Sequence, residues 1–269
     1  MSPRARSILI FIARMAIALA GITLLYLMLF RTQDAAWQRL QQGEALRVAL
    51  DPSFPPFDTL DAAGQVAGFD VDLARELARR LGVPVSFTAI AFDGLADAVM
   101  AGKVDAVISA FPLDERLTED VRYSRPYFEA GLVMVTRADS ALTSPDELAD
   151  APVAVEWGGQ GDAWAREQKL PHILRTETPD EALNAVLAGR AEAAIVDAVT
   201  AAMFAKPGLA PHAPPLVSDP YVIVLPKQAP KLADAVDEAL AEIMADGTWR
   251  KLAEKYFPHP PGPPEEPQR

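Results

Sequence analysis

In the stretch DAVISAFPLDERLTEDVRYSRPYF, residues 105–128, a run fit for a buried strand gives way to a charged segment holding Arg116. By itself Arg116 reads as a solvated arginine in a charged run, although a planar guanidinium can offer paired donors to the two oxygens of a carboxylate. Asp197 closes the apolar run AEAAIVD, residues 191–197, and Glu156 closes PVAVE, residues 152–156. A carboxylate at the first place is suited to cap the helix that begins at Ala198. Other chemistries find no support. The chain has no cysteine, which removes disulfides, thiolate nucleophiles and a lipid-modified cysteine anchor. Its three histidines, His172, His212 and His259, are widely separated and argue against a metal site. No phosphate loop of P-loop type and no nucleophile elbow occurs, and no cofactor is expected.

These side chains need a scaffold. With 269 residues, half of them apolar, the chain can bury a sizeable core, and its length suggests two lobes. The formal charge of -12 would repel a phosphate backbone, so nucleic acid is not expected as a partner.

Residues 8–30 are almost wholly apolar apart from Arg14, and as a helix they would cover the roughly 30 Å core of a bilayer. Arg4 and Arg6 precede this run, so the positive-inside rule sends everything after Phe30 outward. The segment 1–31 is either an anchor or a long signal peptide. Residues 32–44 are polar and Gln-rich, a tether with a short helix. The proline-rich segment 258–269 reads as a disordered tail.

Between them, strand and helix signals alternate. LRVAL opens as a strand. From Asp70, apolar residues at Val71, Ala74, Leu77, Ala78 and Leu81 mark one helical face, which Gly82 ends. VPVSFTAI is a strand, 92–101 a helix and VDAVISAF a third strand. A second series starts at PVAVE, with helices at 162–168 and 179–188 and strands HILRTE and AEAAIVD. Extended runs GLVMVTR and YVIVLPK lie between the series and after the second one, which predicts that the chain enters lobe two and returns. Helices at 229–245 and 247–256 then complete lobe one. The pattern is α/β, a helix-covered parallel sheet in each lobe.

The motifs resemble the extracellular solute-binding proteins of family 3, the amino-acid-binding components of ABC importers. The resemblance rests on DPSFPPF after the opening strand, GFDVDLARELARRLG, FDGLADAVMAGKVDAVIS, RYSRPYFEAG, the strand ending AIVD, and DGTWRKLAEKYF, six segments in the family's order. It implies a type II periplasmic-binding-protein-like fold, two α/β lobes joined by two hinge strands and closing on a ligand. Lobe one would comprise 45–134 and 222–257, and lobe two 135–221.

It also implies roles. Arg116 would bind the ligand's α-carboxylate, although the interval from Asp105 is a residue shorter than is common in the family. Ser109 and Ala110 would offer small groups at a strand end, and Asp197 would pair with the α-ammonium. Phe54 and Phe92 would enclose the ligand side chain, with Asp51 at the rim or supporting the clamp; the plain reading of both rings is core. In EWGGQGD, residues 156–162, Gly158 fits the pattern, while Gly159 and Gln160 stand where the family commonly has hydroxyl residues, and Trp157 adds a stacking surface. Arg125 stands where an acid is frequent and reads as a surface or hinge-facing charge.

The resulting expectation is a monomeric receptor outside the cytoplasmic membrane. It would capture an amino acid or related small zwitterion and deliver it to ABC permease subunits without catalysing a reaction, held to the membrane by the N-terminal helix if that is uncleaved. Two alternatives remain: a cyclohexadienyl dehydratase-like enzyme with Glu156 as general acid, and a sensor module for a membrane partner.

Overall fold

The computed structural model of the protein describes residues 34–204 and 206–264, together with Met15, Leu19 and Gly21. The expected anchor or signal segment lies outside the described residues except at those three positions, as do residues 265–269 of the expected tail. Among the described residues no helix is long and apolar enough to cross a membrane.

The alternating apolar runs assemble into two five-stranded sheets. In chain order the first part of the molecule contains β1 (Leu46–Leu50), the small pair β2 (Thr59–Leu60) and β3 (Val66–Ala67), β4 (Val85–Ala89), β5 (Ala106–Val107), β6 (Val121–Tyr123) and β7 (Phe128–Glu129). The second part contains β8 (Leu132–Arg137), β9 (Val153–Glu156), β10 (Ile173–Thr176), β11 (Ala193–Asp197) and β12 (Leu209–Pro211), before β13 (Pro220–Tyr221) and β14 (Val224–Pro226). Sheet one has the order β4-β1-β5-β14-β6 and sheet two β10-β9-β11-β8-β12. In each, three strands run parallel, and a strand lying next to the hinge in sequence joins antiparallel: β14 against β5, and β8 against β11. This is the two-lobed type II architecture that the sequence resemblance implies.

The helix Phe69–Leu81 shows how sequence sets position. Val71, Ala74, Leu77 and Ala78 are buried, Asp70 and Asp72 sit in the first turn, and Gly82 ends the helix at φ 71° with Val83 N–H on the Ala78 carbonyl. Beneath it lies an aromatic core of Phe57, Phe69, Tyr127, Phe128, Trp249 and Phe257, all buried. Trp249 Nε1 donates to the Tyr127 carbonyl at 2.7 Å, so this large ring is buried with its polar edge satisfied. The C-terminal helices Pro230–Ala245 and Thr248–Tyr256 pack on the same face, which ties the end of the chain to lobe one.

Three segments differ from the sequence reading. The third strand was expected through Phe111, but β5 stops at Val107 because Ala110 takes a positive φ of 42° and its N–H is drawn to the side chain of Asp70. The expected helix 92–101 begins with a 3-10 turn, Phe92–Gly94, ahead of the α-helix Leu95–Met100. The tether carries the short helix Ala35–Gln41, and that helix is docked: Ala36 and Leu40 are buried, and Asp34 accepts from the N–H groups of Lys231 and Leu232 at the start of Pro230–Ala245. Residues 258–264 carry no regular structure, although His259 N–H meets the Ala202 carbonyl.

Candidate functional site

The chain passes between the sheets twice, at Ala130–Gly131 and at 216–219, and the two passages lie side by side. Leu132 and Val217 form an antiparallel bridge, and β7 pairs with β13. A Cβ on Gly131 would stand 1.8 Å from the Val217 carbonyl oxygen, so only glycine permits this approach. Glu129 fastens both passages. Its Oε1 accepts from Gly131 N–H at 2.9 Å and Asp219 N–H at 2.7 Å, while Oε2 accepts from Ser218 Oγ at 2.7 Å.

Against this hinge lie two cavities. One, of about 350 Å³, is lined by Asp51, Ser53, Phe54, Phe92, Ser109, Ala110, Pro112, Asp219 and Tyr221. The other, of about 540 Å³, is lined mainly by lobe two: Glu156, Gly159, Gln160, Gly161, Ile195, Val196, Asp197 and Thr200, with Phe54, Asp219 and Tyr221 again. The three shared residues make the cavities two halves of one interlobe cleft. It lies beyond the carboxyl ends of β1, β9 and β11, where open α/β sheets commonly hold ligands.

Lobe one supplies a polar floor and two rings. Phe54 and Phe92 are 46% and 41% exposed, which separates them from the core, and each stacks on an inner ring, Phe57 and Phe111. Asp51 bridges the loops, accepting from Ser53 N–H at 3.1 Å and Phe92 N–H at 2.8 Å. Ser109 Oγ accepts from Asp51 N–H and donates to Asp58 Oδ2, both at 2.9 Å. Behind the floor, Asp70 Oδ2 accepts from Ala110 N–H at 2.5 Å and from the Tyr127 hydroxyl at 3.0 Å. Asp58 and Asp70 are both fully buried, and burial pushes both carboxyls well above the ordinary range, with the charge of Asp70 adding to the effect on Asp58. Their Oδ1 atoms lack hydrogen-bond partners among the described residues.

Lobe two contributes a helix start and a carboxylate. The helix Gln160–Glu167 opens at the cleft, where its first N–H groups have no intrahelical acceptor and favour an anion. A Cβ on Gly161 would lie 2.4 Å from the Ile195 carbonyl oxygen, so this glycine lets the helix start sit directly on β11. Asp197 lines the cleft and also caps: its Oδ1 accepts from Thr200 N–H at 2.7 Å and its Oδ2 from Thr200 Oγ at 2.6 Å. Asp197 is thus a helix cap that also lines the cleft.

Two expected residues are not in the cleft lining. Arg116 lies in the 3-10 turn Glu115–Leu117 with its side chain 88% exposed, and its guanidinium grips Asp114, Nη2 to Oδ2 at 2.7 Å. Asp114 also accepts from Arg116 N–H, so the turn itself presents the carboxylate to the guanidinium. Gly158 is exposed at φ 75°, and its N–H is directed to Asp162 Oδ2 at 3.3 Å. Arg125, half-buried, donates its N–H to Asp237 Oδ1 at 2.6 Å. Asp51, Phe54, Phe92, Ser109, Ala110, Gln160 and Asp197 are brought together.

Sequence reasoning missed Asp219 and Tyr221. Both lie at the second hinge passage, and their only signal was the junction between a proline-rich loop and the extended run YVIVLPK.

Comparison with known proteins gives a concordant picture. The family model for bacterial extracellular solute-binding proteins, family 3, matches residues 46–259. The histidine-binding periplasmic protein of Escherichia coli strain K12 is 28% identical over 250 residues, covering 88% of this chain and 95% of its own. An ancestral cationic amino acid solute-binding protein superposes with a TM-score of 0.61 at 34% identity, over 83% of this chain and 99% of its own. An ancestral cyclohexadienyl dehydratase superposes with a TM-score of 0.70 at 29% identity, over 81% and 94%.

Proposed function

The chain belongs to the bacterial extracellular solute-binding proteins, family 3, and from that premise we propose that its interlobe cleft captures an amino acid or related small zwitterion outside the cell and delivers it to an ABC permease. The observation that carries this reading is the opposed polarity of the cleft halves of lobe two: a helix N-terminus suited to a carboxylate beside Asp197, suited to an ammonium. The side chain of the ligand then points toward Phe54 and Phe92. Arg116 joins on closure, exchanging Asp114 for the ligand carboxylate. An exposed ion pair is worth about 0–1 kcal/mol, so the exchange costs little. A carboxylate in one lobe and a ring pair in the other make closure depend on the ligand, the usual logic of a hinged receptor.

Placement on the extracytoplasmic face follows from the family. Tethering through residues 8–30 is the reading for an uncleaved N-terminus. A thermal-shift screen of amino acids tests the function, since a bound ligand raises Tm by mass action. One group of amino acids should shift Tm in the native protein and not in Asp197→Asn; no shift with any amino acid would overturn the proposal.

A lyase reading has one favourable observation: Glu156 faces the cleft with no hydrogen bond to its carboxylate from a described residue, on a fold shared with a dehydratase ancestor. Turnover of prephenate or arogenate, lost in Glu156→Gln, would establish it.

A further inference from the structure

The described lining of the cleft holds four carboxylates, Asp51, Glu156, Asp197 and Asp219, and no lysine, arginine or histidine. Their surroundings differ. Asp51 and Asp197 accept backbone N–H groups from Ser53, Phe92 and Thr200, which fix them in place. Asp219 is half-buried in the wall shared by both cavities, and no described residue donates a hydrogen bond to its carboxylate. Its backbone is nevertheless rigidly placed, because its N–H is held at 2.7 Å by Glu129, and Glu129 is itself fixed by Gly131 and Ser218. Burial and then the charge of Glu129 push the Asp219 carboxyl up, the mark of an anion set beside another anion without a cation to offset it. A protein gains nothing in stability from such a group. A ligand that brings a positive charge removes the liability, and one that brings a neutral or negative end does not.

We propose that Asp219 is the specificity-determining residue of this cleft, receiving the distal cation of an amino acid whose α-ammonium is met by Asp197, so that the ligands are basic amino acids. The inference rests on the receptor reading above. It adds the side-chain class and a residue at the hinge that selects it. Asp219 shares the cleft lining with Phe54 and Tyr221, and Glu129, held on the Asp219 N–H behind the lining, adds a second negative charge that favours a cation there. The location also links selection to closure. The cation would contact the same passage of chain that bends when the lobes approach.

The test is isothermal titration of the native protein, Asp219→Asn and Asp219→Glu with arginine, its neutral isostere citrulline, lysine, glutamine and glutamate. The asparagine variant leaves the hinge hydrogen bonds intact, and its unliganded Tm should equal or exceed that of the native protein. Arginine should bind the native protein at least about tenfold more tightly than citrulline. Asp219→Asn should weaken arginine about 10- to 100-fold, the range for a lost hydrogen bond to a charged group, and leave citrulline within about threefold. Asp219→Glu should recover part of the preference. Citrulline, glutamine or glutamate binding as tightly as arginine would overturn the assignment while the receptor reading stood, as would an equal loss of arginine and citrulline in Asp219→Asn. Absence of binding by every amino acid would overturn both.

Discussion

Replacing Asp58 by Asn should change how stability depends on pH more than it changes stability at any one pH. Asp58 and Asp70 are buried together behind Ser109 and Ala110, and burial raises both carboxyls. A carboxyl raised in the folded state keeps its proton after the unfolded chain, with an ordinary value of about 3.9, has lost it. The stabilisation is therefore complete below about pH 4 and declines as pH rises toward the folded value. In that window each retained proton lowers stability by about 1.4 kcal/mol per pH unit. From pH 4.5 to 6.5 the proton that Asp58 retains amounts to about 3 kcal/mol. For a folded unit of this size, at about 2–4 °C per kcal/mol, that is roughly 6–12 °C in Tm. An asparagine can accept from Ser109 Oγ in place of Asp58 Oδ2 and turn its amide toward Asp70, so the variant keeps the network without the proton. Carboxylates held low, such as Asp246 beside Thr248 and Arg80 or Asp114 beside Arg116, give the opposite slope in both proteins and cancel in the comparison. Calorimetric Tm values at pH 4.5 and 6.5 should show the difference, variant minus native, growing by about 6–12 °C. A constant difference, or one that shrinks, would refute the assignment of a retained proton.

Other consequences are more local. Arg116→Ala should leave unliganded stability within about 0.5 kcal/mol, because its ion pair is exposed, yet weaken amino-acid binding at least about tenfold if the guanidinium joins the ligand on closure; unchanged affinity in titration would remove Arg116 from the site. Glu129→Ala takes three hydrogen bonds from the two hinge passages and should lower stability by about 1–3 kcal/mol in urea unfolding. Gly161→Ala forces a methyl against the Ile195 carbonyl and should cost about 1–3 kcal/mol. It should also weaken ligand binding on the order of tenfold, since the displaced helix start lines the cleft.

The fold was legible where residue type and period agree. The stripe Val71, Ala74, Leu77 and Ala78 placed one helix to within a residue, and the apolar runs LRVAL and VAVE appear as β1 and β9. The reading overran where a side chain distant in sequence captures the backbone. VDAVISAF looks like eight residues of strand, but Asp70 and Tyr127 draw the Ala110 N–H out of the ladder. Asp70 marks only the start of the helical period, and nothing in that periodicity reveals that its carboxyl faces inward. Phe54 was placed at the cleft by the family resemblance, not by its residue type, which reads as core. Asp219 was not, because its role comes from Glu129, ninety positions earlier in the chain, and from meeting both cavities at a hinge crossing.

The central claim is that the two halves of this cleft close on one amino acid, and titration calorimetry of the purified protein tests it most directly. The account predicts saturable binding of one basic amino acid per chain, abolished or weakened at least about tenfold in Asp197→Asn. Heat-silent titrations with every amino acid, or equal affinity in Asp197→Asn, would contradict it.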